Sequence, residues 1–254
     1  MSQIRIGVQL HPQHTTWDSF ADAVRHAEAL GCDTIWNWDH FFPLYGDAQG
    51  NHFEGWTLLS AMATITKRAE IGCLVSCNSY RNPALLSNMA KTVDHISGGR
   101  LICGLGAGWF ERDYNEYGYE FGTAGDRLRA LGAALPIIQQ RWAIDVPAPL
   151  RPIPILIGGG GEKVTLRLTA QYANIWHGFG TAAILRHKNT ILDEWCANVG
   201  RDPQAIERSV SPAKGESLDA YVEVGVTHFI FGIGEPWDFS AVEAALRWRS
   251  QLIP

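Results

Sequence analysis

Four short stretches carry the residue types that do chemistry. Asp39-His40 sets a carboxylate beside an imidazole, a pair that can tune proton transfer; a capped structural histidine gives the same two letters. Gly158-Gly159-Gly160-Gly161 follows an apolar run and precedes a helical pattern. Four glycines let backbone approach a ligand closely, and the following helix N-terminus offers free N–H groups to a phosphate. A flexible turn with no ligand is the bland alternative, and a Walker A loop is excluded because no Gly-Lys-Ser/Thr follows. His11 and His177 each end an apolar run, and neither belongs to a His-x-His pair. No carboxylate-rich cluster accompanies them, so no catalytic metal is expected. Of the ten tryptophans, Trp38 and Trp109 fall after strand-like runs, where stacking on a ligand competes with plain packing.

These stretches need elements to hold them, and strand and helix patterns alternate from end to end. Strands are expected at 4–10, 34–38, 70–77, 100–105, 155–158, 173–178, 207–211 and 227–232. Helices are expected at 17–30, near 56–65, 82–96, 126–142, 162–170, near 182–199, 217–223 and 239–251. Eight strand–helix units in 254 residues fit a (β/α)8 barrel as one domain over 1–254. A doubly wound sheet would place Gly-x-Gly-x-x-Gly after the first strand, and His11-Pro12-Gln13-His14 stands there instead. A weak repeat supports the barrel: Ala29–Trp36, Thr169–Trp176 and Val222–Phe229 each run from a helix end through a small and a polar residue into an apolar strand. In a barrel the site lies at the C-terminal strand ends. Those ends carry His11, Trp38-Asp39-His40, Ser76-Cys77-Asn78, Gly106-Ala107-Gly108-Trp109, the glycine run and His177. Aromatics and imidazoles with few charges suit a flat, largely apolar ligand with polar edges.

Composition narrows the partners. The net charge is −5, from 21 basic and 26 acidic residues, which gives no electrostatic footprint for nucleic acid. No apolar run approaches the roughly 18 residues that span a bilayer, and the N-terminus shows no signal-peptide pattern. A soluble cytoplasmic protein acting on a small molecule is the expectation. The five cysteines, Cys32, Cys73, Cys77, Cys103 and Cys196, are widely spaced without Cys-x-x-Cys and read as small apolar residues.

Taken in order, 34–42 (TIWNWDHFF), 71–76 (IGCLVS) with 80–84 (YRNPA), 97–109 (SGGRLICGLGAGW) and 154–162 (PILIGGGGE) resemble the bacterial luciferase-like superfamily. The similarity is greatest to its branch that uses the deazaflavin coenzyme F420. The resemblance implies a TIM barrel, hydride transfer and a homodimer, with coenzyme F420 or, alternatively, FMN at the C-terminal mouth. It implies His40 as the acid–base group and Asp39 facing ring and substrate. It implies Cys73, Leu74, Ser76, Ala107 and Gly108 around the cofactor, and Gly158, Gly159, Gly160 and Gly161 on its phosphate. His11, Trp38, Trp109 and His177 then line the substrate pocket. The resemblance also places a non-proline cis peptide at Cys73–Leu74. Two departures stand out: Trp109 replaces a glutamate of the similar sugar-phosphate dehydrogenases, pointing to a flatter or more apolar substrate, and the usual insertions are trimmed. An FMN-dependent monooxygenase and a non-catalytic flavin-binding protein are the alternative readings.

Overall fold

The computed structural model describes residues 3–252; the ends of the expected 1–254 domain lie outside them. Nine parallel strands form one sheet in the order β3-β2-β1-β9-β8-β7-β6-β5-β4. They are β1 (Arg5–Leu10), β2 (Thr34–Asn37), β3 (Glu70–Cys73), β4 (Ser76–Cys77), β5 (Cys103–Gly106), β6 (Ile155–Gly158), β7 (Ile175–Gly180), β8 (Glu207–Pro212) and β9 (His228–Ile233). The two ends of that order are consecutive in the chain, so β3 and β4 together fill one staves' place and close an eight-membered TIM barrel. A bridge between Ile71 and Leu101 completes the seam.

Helices wrap the outside: α1 (Trp17–Leu30), α2 (Gly55–Ile65), α3 (Pro83–Ser97), α4 (Glu111–Tyr117), α5 (Ala124–Ile144), α6 (Thr165–Tyr172), α7 (Ala182–Asn198), α8 (Leu218–Val222) and α9 (Ser240–Gln251). Local sequence explains their limits. Thr16 caps α1 by accepting from the Ser19 amide, and Gly31 ends it at φ 95°, a conformation costly to residues with a Cβ. Asn82 caps α3, with Pro83 at the first helical position.

The barrel interior is filled by Trp36, Leu74, Ile102, Leu156, Ile175 and Ile230. Trp36 fits because Gly72 has no side chain; a Cβ there would lie 2.6 Å from the indole. The indole N–H donates to Thr34 Oγ1 at 2.8 Å, and Thr34 in turn meets His228 Nε2 at 2.8 Å. A buried tryptophan is thereby kept without an unpaired donor.

Four expectations need correction. The third strand does not run unbroken from 70 to 77: it stops at Cys73 and resumes at Ser76. The non-proline cis peptide is Leu74–Val75, not Cys73–Leu74. The Leu74 amide still donates to Asn37 O at 2.8 Å, so the ladder holds the chain one residue further than expected. The fourth strand begins at Cys103 rather than Arg100, because the Arg100 guanidinium donates to carbonyls at the end of α2, including Ala63 O at 3.1 Å and Thr66 O at 2.9 Å. The helix after the glycine run starts at Thr165, not Glu162. Helix α4 was not expected at all.

Candidate active site

The mouth of the barrel holds a cavity of about 470 Å³, within the usual range for small-molecule sites. Leu74 and Val75 form an apolar ridge on one side. The ends of β5 and β6 make room for it: a Cβ on Gly106 would come within 2.6 Å of Val75, and one on Gly158 within 3.0 Å. Gln9 Nε2 donates to Leu74 O, so the interrupted strand keeps that carbonyl paired. Ala107, Gly108, Cys77, Trp38, His40, Trp109, His177, Phe179 and Ser211 also line the cavity.

His40 is held by a residue that sequence reasoning missed. Its Nδ1 lies 2.6 Å from Oδ2 of Asp113, a carboxylate with no exposed surface on α4. Tyr80 donates its hydroxyl to the same oxygen at 2.8 Å, and the Phe41 amide donates to Oδ1 at 3.1 Å. The ring edges of Trp109, Phe110 and Trp38 box the imidazole at centroid distances of 5.7, 5.6 and 6.1 Å. His40 Nε2 has no protein partner among the described residues, and the side chain lines the cavity.

Asp39, its sequence neighbour, is not the partner of His40. It accepts two bonds from Arg81, at 2.6 and 2.9 Å, and one from the Cys77 amide at 3.1 Å. Arg81 also pairs with Glu54, which caps α2. Burial pushes the Asp39 carboxyl up, and the Arg81 fork opposes it. Burial likewise pushes Arg81 down, but its carboxylate partners more than reverse that, and the guanidinium ends above its ordinary value. The planar two-point geometry is that of an ion pair. Beyond the end of β2 at Asn37, Asp39 turns toward Arg81 and Glu54 at the start of α2, and His40 turns toward Asp113 on α4.

His177 lies on the cavity wall and is held neutral, its pKa lowered to about 3 by burial and then by His228. Its Nδ1 meets Ser209 Oγ at 3.0 Å, and that hydroxyl donates to Trp176 O at 3.1 Å. The ring therefore donates from Nδ1 and leaves Nε2 as an acceptor, 3.3 Å from Ser211 Oγ. Trp38 donates its indole N–H to His52 Nε2 at 2.9 Å and stacks on His11 at 4.3 Å. His11 thus stands behind Trp38 instead of lining the cavity, with its pKa lowered to about 4 by burial.

The structure brings together Asp39, His40, Leu74, Ala107, Gly108, Gly158, Gly159, Trp38, Trp109 and His177 at one mouth. Besides His11, four expected residues fall elsewhere. Cys73 is buried in the main core, since the ridge begins one residue later. Ser76 is spent on the Trp56 indole, 3.0 Å away. Gly160 and Gly161 border a separate open groove of about 420 Å³ with Lys163 and Lys188, because the delayed start of α6 turns the loop outward after Gly159. Cys77, Val75, Thr165 and Phe179 are cavity residues that sequence reasoning passed over or did not assign.

Among the described residues no group of three His, Cys, Asp or Glu side chains is gathered as a metal site needs, and no helix is long and apolar enough to cross a membrane.

The model of the luciferase-like monooxygenase family matches residues 1–214. The chain belongs to that family. Among relatives of this luciferase-like chain, an uncharacterised protein of Mycobacterium tuberculosis is 27% identical over 258 residues, 89% of each chain. An F420-dependent glucose-6-phosphate dehydrogenase of Amycolatopsis mediterranei is 31% identical over 161 residues, 56% of this chain and 47% of that relative. The solved structure of an F420-dependent secondary alcohol dehydrogenase, with an F420–acetone adduct, matches at TM-score 0.83 and 17% identity over 95% of this luciferase-like chain and 96% of that one. That last likeness is one of fold.

Proposed function

We propose that the chain is an oxidoreductase that binds the deazaflavin coenzyme F420 at the barrel mouth and exchanges hydride with a small uncharged organic substrate, His40 handling the proton. One observation carries this reading: a single imidazole with an unpaired Nε2 looks into an apolar cavity whose other titratable groups are tied up. Asp39 is committed to Arg81, and His177 is held neutral.

The residues present fit a flat ring. The Leu74–Val75 ridge offers an apolar floor, and the strand ends at Gly106 and Gly158 carry no side chain to block it. Beyond Gly159, no side chain caps α6; the Leu166 amide is taken by Gly161 O at 3.0 Å, and the Thr165 hydroxyl at the helix start lines the cavity, where it can donate to a phosphate. When bound, the coenzyme supplies or accepts the hydride. His40 Nε2 takes a proton from a substrate hydroxyl, or returns it to a carbonyl in the opposite direction. No Lys or Arg lines this cavity, so an anionic substrate would lack a counter-charge there. Trp109 and Phe179, 64% and 59% exposed, flank the mouth with apolar faces that a substrate would cover. This favours a neutral, flat or apolar substrate over a sugar phosphate.

The similarity to F420-dependent relatives supports the deazaflavin. FMN with dioxygen chemistry is the second reading, since the matching family is described as monooxygenases; the open mouth weighs against it, because reactive oxygen intermediates need shielding from water. The test is turnover of His40→Ala with coenzyme F420 and a panel of neutral alcohols and ketones. Removing a general acid–base group typically costs about 100- to 10,000-fold. Turnover should fall on that scale with coenzyme affinity nearly unchanged; equal losses in both would reduce His40 to a wall of the pocket.

A further inference from the structure

We infer that Asp113, backed by Tyr80, is the positioning residue of this site: it fixes His40 with its proton on Nδ1 and its lone pair on Nε2, facing the cavity. The inference rests on the reading of His40 as the proton-handling group, and one arm of its test does not need turnover.

The chemistry of the contacts leads there directly. An ionised carboxylate only accepts hydrogen bonds. Asp113 meets three polar groups from two separate parts of the chain: the Phe41 amide donates to Oδ1, the Tyr80 hydroxyl donates to Oδ2, and His40 Nδ1 lies 2.6 Å from Oδ2. The Tyr80 phenol stays protonated, since burial, then the nearby Cys77 and Asp113, push it far up. Tyr80 is therefore a permanent donor and cannot compete with Nδ1 as an acceptor. Neutral His40 must then carry its hydrogen on Nδ1, because the other tautomer would set a lone pair against the carboxylate at 2.6 Å. A ring nitrogen with no protein partner among the described residues is left at the cavity, where it can meet a substrate proton.

The burial pattern fits the same role. Asp113 has no exposed surface, and the His40 side chain keeps 12%. Nothing about Asp113 touches the cavity itself, so it acts through His40 and not on a substrate. Its helix, α4, packs an aromatic group against this pair: Tyr80 lies 5.3 Å from Tyr114, and Phe41 lies 4.1 Å from Tyr117. A carboxylate held this way resists rotation, which is what an orienting group needs.

The test combines nitrogen-15 NMR of the histidine side chains with kinetics. In the ligand-free wild type at a pH where His40 is neutral, its Nδ1 should show the protonated shift and its Nε2 the unprotonated one. Asp113→Asn should mix or invert the two signals. It should also lower turnover by about 100- to 10,000-fold with coenzyme affinity within about threefold, as expected when an orienting carboxylate is lost. Asp113→Glu should recover part of the loss. Tyr80→Phe keeps the carboxylate and removes one donor, so it should retain the wild-type tautomer with a loss of about threefold to tenfold; it covers the case in which Asp113→Asn does not fold. An Nε2-protonated tautomer in the wild type overturns the inference whether or not a substrate has been found. So does an unchanged His40 signal in a folded Asp113→Asn. Wild-type turnover in that variant would overturn it too, while leaving the hydride-transfer reading intact.

Discussion

Removing Arg81 isolates the cost of the buried ion pair beneath the mouth. Asp39 has no exposed side-chain surface and Arg81 keeps 10%. In Arg81→Met the Asp39 carboxylate retains only the Cys77 amide, 3.1 Å away, while Glu54 keeps its bonds to the Trp56 and Thr57 amides. Breaking a buried pair from one side costs about 3–5 kcal/mol, because an uncompensated charge stays inside. With a urea dependence of about 2–3 kcal/mol per molar, the unfolding midpoint should fall by about 1–2.5 M. The deficit has a pH signature. Without Arg81, burial raises the folded-state pKa of Asp39 above its unfolded value of about 3.9. The penalty is then full near neutral pH and shrinks as the solution is acidified toward that value. The double variant Asp39→Asn/Arg81→Met carries no buried charge and should recover most of the loss. Urea titrations at pH 7 and pH 5 measure all of this. A single-variant midpoint within about 0.3 M of wild type, or a double variant no better than the single, would refute the ion-pair assignment.

The glycine run divides into two functions. Gly159→Val should weaken coenzyme binding, since Gly159 sits at φ 124° on the cavity and a Cβ would meet Thr165 at 3.3 Å; Gly160→Ala should bind normally, its nearest neighbour being Lys188 at 3.7 Å. Fluorescence titration of both compares them, and the reverse order would move the phosphate to the outer groove. The neutral histidines should make the fold acid-sensitive. The folded pKa of His177 is about 3, below its unfolded value of about 6.5, so stability is lost as pH falls below about 6.5, by up to about 1.4 kcal/mol per pH unit. His177→Gln should flatten that slope in denaturation curves between pH 6.5 and 4; an unchanged slope would mean that His177 already carries a proton in the folded state.

Much of the fold was legible because each element has its own local grammar. Helix α1 has its expected limits, with Thr16 and Gly31 as punctuation, and β6 falls at 155–158 as expected. The break in the third strand was not legible, because 71–75 is an unbroken apolar run and the interruption answers to Gly104, Gly106 and Gly158 on other strands. Helix α4 escaped notice because 111–117 is mostly polar and has neither a side-chain cap nor an apolar stripe. Missing α4 meant missing Asp113. The pairing of His40 with a carboxylate 73 residues away has no local signal, whereas the adjacent Asp39 offered a false one. Trp38, His40, Trp109 and His177 line the mouth that counting strand ends points to, whereas His11, counted the same way, stands behind Trp38.

The central claim is most directly tested by equilibrium titration of the purified protein with coenzyme F420 and, separately, with FMN, read by quenching of tryptophan fluorescence; Trp38 and Trp109 line the cavity and should report occupancy. Saturable binding of coenzyme F420 at one molecule per chain, tighter than FMN and weakened by Gly159→Val, is the predicted result. Saturable binding of FMN with none of coenzyme F420 would contradict the account.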